Sequence, residues 1–504
     1  NSIFSPPSLN PTMRWIALFG LVATASSLPR SVRNANYAAL AADVKDDDLE
    51  LVFATALWRH GDRAADHAVP GREQFPEDAW TFGGGGYGEL SPEGMAAHFN
   101  LGKRLRARYM DKYSLLSPTY NAKEIYIRST DYNRTLISAY ANVAGMYAGT
   151  GVTGQNFPAA ELIPDGEWPV GYIPIPVHTV PYSTDFVGHP DSTCARQDEL
   201  YALVQSSAEY QNYINDPQIA QILVYLSNMT GTDVTIENIG VMQDPIYCEQ
   251  RHITELNETG ATIEQFYPWF FTNDIPEWAD WIDEKADDFA DGIANPAGVN
   301  GIDVSVEIPK IRAGDSLKLL SSNVKGVLAC RDNSTISSCR KFYENLKYYA
   351  ISAHDSTLLA FLSLLGVKQY IIPAGGVNYT ATMLFEVYEH KETAERSFKV
   401  LYHASEKDDI KPITSFVRGC SPLENVCSLS VLDDLVAKYA PETDMATLCN
   451  TPVFGGVDPV TGTVTSPTNS PGTTESTMPP TTSAVSALSL LSGAFVIAIS
   501  TLRC

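Results

Sequence analysis

An apolar run that ends in a group of charges constrains this sequence more than any other feature. Residues 51–58 run apolar, and RHGDR follows at residues 59–63. A short apolar run bounded by a glycine is typical of a buried strand in a parallel sheet. Because open α/β sheets bind ligands at the carboxyl ends of their strands, Arg59, His60 and Arg63 are predicted to face a ligand. Two guanidinium groups beside a nucleophilic imidazole suit a phosphoryl group.

Two other predicted strands end in groups of the same kind. Residues 123–129 (KEIYIRS) alternate as a strand does and place Arg128 near their end, before a helical pattern. Residues 347–352 (KYYAIS) lead to His354 and Asp355 and to another helical pattern. Taken alone, Arg128 would more often form a strand-end salt bridge, and the His-Asp pair would more often start a helix. Together with RHGDR they predict one site made from three strand ends.

The composition excludes some classes of function. The chain has 504 residues, 44% of them hydrophobic, which is ample for a large core. Its formal net charge of −24 argues against nucleic-acid binding, so a phosphate site must be a local basic pocket. The glycine run at 83–86 lacks the Gly-Lys-Ser/Thr of a P-loop, and no compact metal-ligand spacing such as H-E-x-x-H occurs. Neither a metal nor another cofactor is predicted.

The first part of the chain predicts export. Residues 13–25 hold one arginine, an apolar stretch and an Ala-x-Ala pattern, which together form a secretory signal. The eight cysteines are then disulfide candidates, and because only Cys504 lies beyond the apolar tail, one of the others should be free or intermolecular. Five glycosylation sequons fit an exported glycoprotein and lie at Asn133, Asn228, Asn257, Asn333 and Asn378.

The last part of the chain predicts attachment to a membrane. Residues 452–483 are rich in Thr, Ser, Pro and Gly and are interpreted as an extended stalk. Residues 484–502 are apolar and long enough for a spanning helix. The small residues around 469–474, the polar spacer and the terminal apolar tail favour a lipid-anchor signal. The protein is expected outside the cytoplasm: extracellular, at the cell surface or in lysosomes.

Six blocks of sequence resemble one known family. RHGDR, IRSTDYNRT, PIPVHTVP, DPIYC, SAHDSTL and the pair Cys420 and Cys427 occur in this order. RHG alone is shared with phosphoglycerate mutases and phytases, but the ordered set resembles the histidine acid phosphatases over most of residues 50–450. The resemblance implies an α/β fold of the phosphoglycerate mutase type, with a three-layer sheet domain and an inserted, smaller helical cap.

The domain boundaries follow from the patterns along the chain. Residues 45–190 and 345–435 are assigned to the α/β catalytic domain, because they hold the predicted strands. Residues 191–344 are assigned to the cap, because they read as acidic and aromatic helices without an alternating strand series. The site is expected where the two domains meet.

The resemblance also implies a role for each site residue. His60 would be the nucleophile that forms a phosphohistidine, and Asp355 would protonate the leaving alkoxide. The phosphate oxygens would be held by Arg59, Arg63, Arg128 and His354. The residue chemistry suits this, since arginines stay charged, bind oxygens in pairs without a metal, and disfavour protonation of a nearby imidazole. Asp62, His67, His98 and His178 are expected to be structural or surface residues.

The resemblance implies two disulfides and has two departures. Cys194 should pair with Cys449, and Cys420 with Cys427. The family usually has a proline where this chain has Ala65, which would loosen the loop. The family also has a cysteine near Met383 that is missing here, so that Cys248 would be free or bonded to Cys330 or Cys339.

The predicted activity is metal-independent hydrolysis of phosphate monoesters, small or protein-borne, at acidic pH. A phytase is the nearest rival, but the acidic helical region (PEWADWIDEKADDFADG) does not suggest a pocket for a polyanion. The other rival is a non-catalytic binding protein, which the intact arginine, histidine and aspartate set argues against. A homodimer is left open.

Overall fold

The computed structural model describes residue 40 and residues 46–454, except 73, 164–167, 170, 338 and 373–375. Within this part of the chain, seven strands form one mixed sheet. The strands are β1 (Leu49–Arg59), β2 (Ile125–Ser129), β3 (Tyr348–Ala353), β4 (Thr382–His390), β5 (Arg396–His403), β6 (Lys411–Pro412) and β7 (Cys427–Ser428).

The order of the strands brings the three predicted strand ends together. The sheet runs β2-β3-β1-β4-β5-β6, and β7 pairs with β5. Strands β2, β3 and β1 are parallel, and β4 to β7 continue the sheet in antiparallel pairs. Arg59 is in register with Ala353, and Ser129 with Ser352, so the three parallel strands end at one edge. Residues 59–63 and His354–Asp355 each follow a strand, as predicted, and the two strands are neighbours in the sheet.

Helices cover both faces of the sheet and form a further region beside it. The α-helices are α1 (Pro92–Arg106), α2 (Asn133–Tyr147), α3 (Ala195–Gln205), α4 (Ala208–Ile214), α5 (Pro217–Thr230), α6 (Ile239–Arg251), α7 (Ile253–Leu256), α8 (Ile263–Phe266), α9 (Ile275–Ala290), α10 (Val304–Asp332), α11 (Asp355–Leu365), α12 (Lys368–Ile371), α13 (Leu429–Tyr439) and α14 (Met445–Cys449).

The sheet is the middle of three layers. On one face, α1 and α2 bury residues such as Leu105 and Val143 against Trp58 of β1. On the other face, α10, α11 and α13 pack residues such as Leu320 and Phe361 on the sheet. Because β1 is covered on both sides, its residues are apolar in sequence rather than alternating. This confirms the predicted three-layer α/β class.

A second hydrophobic core lies among α3 to α9 and belongs to the helical region, which we define as residues 195–311. Residues such as Leu200, Ile239 and Ile282 form this core. Helix α10 joins the two cores, because Ile308 packs in the helical one and Leu317 packs under the sheet. The predicted cap, residues 191–344, therefore contains a helix that is shared with the sheet domain.

Three disulfides occur in the described part of the chain. Cys194 bonds Cys449, and Cys420 bonds Cys427, as the resemblance implies. Cys330 and Cys339 bond each other, which excludes both as partners of Cys248. The expectation that Cys248 could be free is wrong as well, because this cysteine is itself disulfide-bonded.

The predicted targeting segments fall mostly outside the described residues. The signal at 13–25, the anchor at 484–502 and nearly all of the stalk at 452–483 lie there. Among the helices that the structure describes, none is long and apolar enough to cross a membrane.

Candidate active site

The loop after β1 is held in place by close packing against the start of α1. The His60 amide donates to the carbonyl oxygen of Ala353 at 3.0 Å, and the Gly61 amide donates to Ser138 Oγ at 3.0 Å. A Cβ atom on Gly61 would lie 2.5 Å from the carbonyl oxygen of Gly94 in α1. Only glycine therefore fits at position 61, which explains the central residue of RHGDR.

The His60 side chain is fully buried and presents one free nitrogen. Its Nδ1 lies 2.8 Å from the carbonyl oxygen of Gly61, which can only accept, so Nδ1 carries the proton. Among the described residues, His60 Nε2 has no hydrogen-bond partner. Burial, followed by the charges of Arg134, Arg59 and Arg63, holds the pKa of His60 well below its usual range. The imidazole therefore stays neutral in acid, with a lone pair on Nε2.

Arg59 connects the end of β1 to the start of α11. Its Nη2 lies 2.9 Å from Asp355 Oδ2, and both side chains are buried. Its Nη1 donates to the carbonyl oxygen of Val377 at 2.5 Å, and its guanidinium lies 4.3 Å from the centre of the Tyr379 ring. The other oxygen of Asp355, Oδ1, accepts from the Ser356 amide at 2.7 Å. Arg59 and Asp355 are thus fixed as a pair beside His60.

Arg63 is oriented by the helical region. Its Nη2 donates to Asp244 Oδ1 at 2.9 Å and its Nη1 donates to Oδ2 at 3.2 Å, a bidentate ion pair with α6. Its Nη2 also lies 3.3 Å from Asp66 Oδ2. Since Arg63 and Asp244 are both fully buried, the guanidinium has little freedom to move.

Arg134, which the sequence interpretation passed over, faces the same pocket from the first turn of α2. After burial, its charge is the largest influence on the pKa values of both His60 and His354, and it lowers both. Its Nη1 lies 3.4 Å from Asp66 Oδ1, and its guanidinium lies 4.8 Å from the centre of the Tyr132 ring. Arg134 lies in the IRSTDYNRT block, six residues after the arginine that the sequence analysis selected.

The side chain of Arg128 points away from the pocket. Its guanidinium forms an ion pair with Asp185. Strand residues point to alternate faces, and Ile127 beside it packs with the α1 and α2 layer, so Arg128 points to the opposite face. Arg128 is not among the charges that act most strongly on His60 or His354. Arg128 therefore forms a salt bridge near the end of its strand, which is the more common role of such a residue.

His354 lies across the pocket from His60. The centres of the two rings are 5.6 Å apart, and His354 Nε2 lies 3.0 Å from Thr130 Oγ1. Its Nδ1 is buried and has no partner among the described residues. Burial and then the charge of Arg134 lower the pKa of His354, so this ring is also neutral and can donate one hydrogen bond to an anion.

Aromatic rings line the side of the pocket next to His354. The rings of Tyr132 and His189 each lie 5.2 Å from His354, and Tyr182 lies 4.5 Å from His189. Tyr132 and Tyr182 are 36% and 41% exposed, so they border the solvent side of the pocket. Sequence reasoning missed these rings, although Tyr132 belongs to the IRSTDYNRT block.

Asp62 connects the RHGDR loop to the end of α6. Its Oδ1 accepts from Arg251 Nε at 2.5 Å, and its Oδ2 accepts from Ser91 Oγ at 2.5 Å and lies 2.7 Å from His252 Nε2. Burial lowers the pKa of His252, but the hydrogen bond and charge of Asp62 raise it above its usual value. Asp62, His252 and Glu93 are the group of described residues whose spacing resembles a metal site, but the oxygens of Asp62 already have these partners.

His98 and Ala65 are both buried and both help to hold the loop after β1 in place. His98 Nε2 donates to the carbonyl oxygen of Arg59 at 3.0 Å and thus holds the end of β1. Ala65, where the resemblance suggested a looser loop, is fully buried with Trp80 and Cys248, and its carbonyl oxygen accepts from the Gly88 amide at 2.8 Å. The loop is therefore anchored without a proline.

The assembled pocket is basic, buried and supplied with a nucleophile and an acid. Three guanidinium groups, the neutral imidazole of His354 and one carboxyl group lie around the His60 ring. Such a set can hold the equatorial oxygens of a phosphoryl group while a nitrogen attacks the phosphorus.

Comparison with known sequences finds a family match over most of the described chain. The sequence model of the histidine phosphatase superfamily (branch 2) matches residues 50–403. A protein of Caenorhabditis elegans named putative acid phosphatase 10 is 29% identical over 81% of this chain and 95% of its own. The lysosomal acid phosphatase of Bos taurus is 31% identical over 75% of this chain and 77% of its own.

Comparison with solved structures finds the same fold. A phytase of Hafnia alvei in complex with myo-inositol hexakis sulphate superposes with a TM-score of 0.52 at 14% identity. The match covers 79% of this chain and 99% of the phytase. At that identity the likeness describes the arrangement of the sheet and helices.

Proposed function

This chain belongs to branch 2 of the histidine phosphatase superfamily, and we propose that it is an acid phosphatase that hydrolyses phosphate monoesters through a phosphohistidine. One observation carries the proposal. His60 Nε2 is buried, has no hydrogen-bond partner among the described residues, and is surrounded by positive charge that keeps the ring neutral. A buried nitrogen without a partner costs stability, so its retention next to three arginines fits a nucleophile for a phosphate ester.

The first step forms the covalent intermediate. The lone pair of His60 Nε2 attacks the phosphorus, and the bond from phosphorus to the ester oxygen breaks. Arg59, Arg63 and Arg134 neutralise the charge on the equatorial oxygens, and His354 donates a hydrogen bond. The protonated carboxyl group of Asp355 gives its proton to the departing oxygen, so that an alcohol leaves rather than an alkoxide.

The second step returns the enzyme to its starting state. A water molecule attacks the phosphorus, the Asp355 carboxylate accepts a proton from that water, and the bond to His60 Nε2 breaks. Inorganic phosphate then leaves. In this proposal Arg134 takes the place that the sequence analysis gave to Arg128, since Arg134 acts on His60 whereas Arg128 is paired with Asp185.

The proposed location is the secretory pathway or the lysosome. Three disulfides are typical of an oxidising compartment, and several relatives are lysosomal acid phosphatases. Attachment to the membrane through residues 484–502, N-glycosylation and a homodimer remain predictions that the described residues do not address.

One set of assays tests the function. The purified full chain is assayed for phosphate release from nitrophenyl phosphate, phosphotyrosine and phytate between pH 4 and pH 8, with and without a chelator. We expect release from the two monoesters, fastest in acid and insensitive to the chelator, since arginines rather than a metal hold the phosphate. Turnover that the chelator abolishes, or no turnover of any substrate, would refute the proposal, and a strong preference for phytate would favour the rival activity.

A further inference from the structure

A second cavity, of about 570 Å³, lies in the helical region and shares no lining residue with the phosphate pocket. Its walls come from α3, the start of α4, residues 233–238 and the last turn of α9. Sites for small organic ligands typically measure about 300–1,000 Å³. The cavity is therefore large enough for a ligand of its own.

All charged residues that line this cavity are acidic, namely Asp198, Asp233 and Glu237. The hydrogen bonds that the structure gives to the Glu237 carboxylate come from neutral donors, the Tyr210 hydroxyl and the Gln205 amide. Burial raises the pKa values of both Asp198 and Glu237, and no basic side chain is among the causes acting on either carboxyl group. Burial thus disfavours the charged forms of Asp198 and Glu237, and because no lining residue is basic, a cation in the cavity would be the partner that stabilises them.

The backbone adds to this negative potential. Helices α3 and α9 both end at the cavity wall, at Gln205 and Ala290, and neither has a basic residue in its last turn. The carbonyl groups at the C-terminal end of a helix carry about half a negative charge. The last residues of both helices lie in the same wall as the carboxyl groups.

Part of the wall is apolar and buried. Val204, Ile236 and Phe289 belong to the core of the helical region, and the buried ring of Tyr210 stands among them. Apolar and aromatic surface of this kind favours the hydrocarbon part of a ligand, and aromatic faces also attract cations.

We propose that this cavity binds an organic cation, a protonated amine carried on an apolar body. The ammonium group would pair with Glu237, assisted by Asp198 and Asp233, while the apolar body packs on Phe289 and Ile236. An anion is excluded by the same carboxyl groups, so phosphate esters are not candidates. The inference does not rest on the proposed phosphatase activity, because the two pockets share no residue.

A charged probe and its uncharged counterpart test the inference. Binding of 4-phenylbutylamine and of 4-phenylbutanol to the full chain is measured by calorimetry at pH 7.5, with inorganic phosphate present to occupy the catalytic pocket. We expect the amine to bind at one site and the alcohol to bind at least about tenfold more weakly, since it lacks the charged hydrogen bond. No binding of the amine, or equal binding of the two probes, would overturn the proposal.

A matched pair of variants locates the site. Glu237→Gln should weaken binding of the amine about tenfold and leave binding of the alcohol unchanged, because it removes the charge and keeps the shape. Glu258→Gln, which changes an exposed carboxylate of the same region outside the cavity, should change neither. Hydrolysis of nitrophenyl phosphate reports that both variants are folded. Unchanged amine affinity in Glu237→Gln would also overturn the proposal.

Discussion

The ends of β1 and β2 are two strand-to-helix junctions that look alike in sequence and differ in the structure. At the end of β1, Arg59 and His60 enter the pocket directly, and Arg63 follows within the loop. At the end of β2, Arg128 turns away to Asp185, and Arg134 in the first turn of α2 serves the pocket instead. A strand residue can face only one side of the sheet. The first turn of a helix lies at the edge of the sheet, where positive charge favours the binding of an anion.

Removal of His60 should have the largest effect and tests the β1 end. His60→Ala should lower kcat/KM for nitrophenyl phosphate about 10⁴-fold or more, because the nucleophile is lost. Alkaline quenching of the wild-type enzyme with labelled substrate should trap a phosphoenzyme that the variant lacks, because a phosphohistidine survives alkali but not acid. His67→Ala, a change in the same loop whose imidazole contacts the carbonyl oxygen of Val241, should keep nearly full activity. A labelled phosphoenzyme in His60→Ala would assign the nucleophile to another residue.

The role of Asp355, which follows β3, can be tested with substrates that differ in their leaving groups. Asp355→Asn should lower the hydrolysis of alkyl phosphates about 10³-fold, because the alkoxide then leaves without a proton. Nitrophenolate needs little protonation, so hydrolysis of nitrophenyl phosphate should fall by only about tenfold. The ratio of the two rates in the variant and the wild type is the measurement. Equal losses on both substrates would contradict a role for Asp355 as the acid.

The two arginines of the β2 junction provide a matched comparison. Arg134→Ala should lower kcat/KM for nitrophenyl phosphate about 10²-fold and weaken inhibition by inorganic phosphate, since a charge next to the transferred group is lost. Arg128→Ala should change kcat/KM by less than about tenfold, because its partner is Asp185. A larger loss for Arg128→Ala than for Arg134→Ala would restore the assignment made from the sequence.

Much of the fold and of the site follows from local sequence. The apolar run of β1, the alternation of β2 and the Ser-Pro start of α1 determine elements that the structure contains. The family blocks then locate His60 and Asp355. The direction of the Arg128 side chain depends on which face of the sheet meets Asp185, which lies far along the chain. Contacts such as Arg63 with Asp244 form only after the helical region has packed, so local patterns do not reveal them.

The smallest predicted effect concerns the contact between His252 and Asp62, which joins the β1 loop to the helical region. The folded state raises the pKa of His252, so its pairing stabilises the fold fully below the ordinary value of about 6.5 and is lost as the pH rises through the raised value. His252→Gln should therefore lower the unfolding midpoint by about 1–3 °C at pH 5 and by less at pH 8.5. His67→Gln is the control, because its neighbour is a backbone carbonyl rather than a carboxylate. A difference that grows with pH would show that protonation of His252 does not stabilise this contact, and that the β1 loop depends on Arg251 and Ser91 instead.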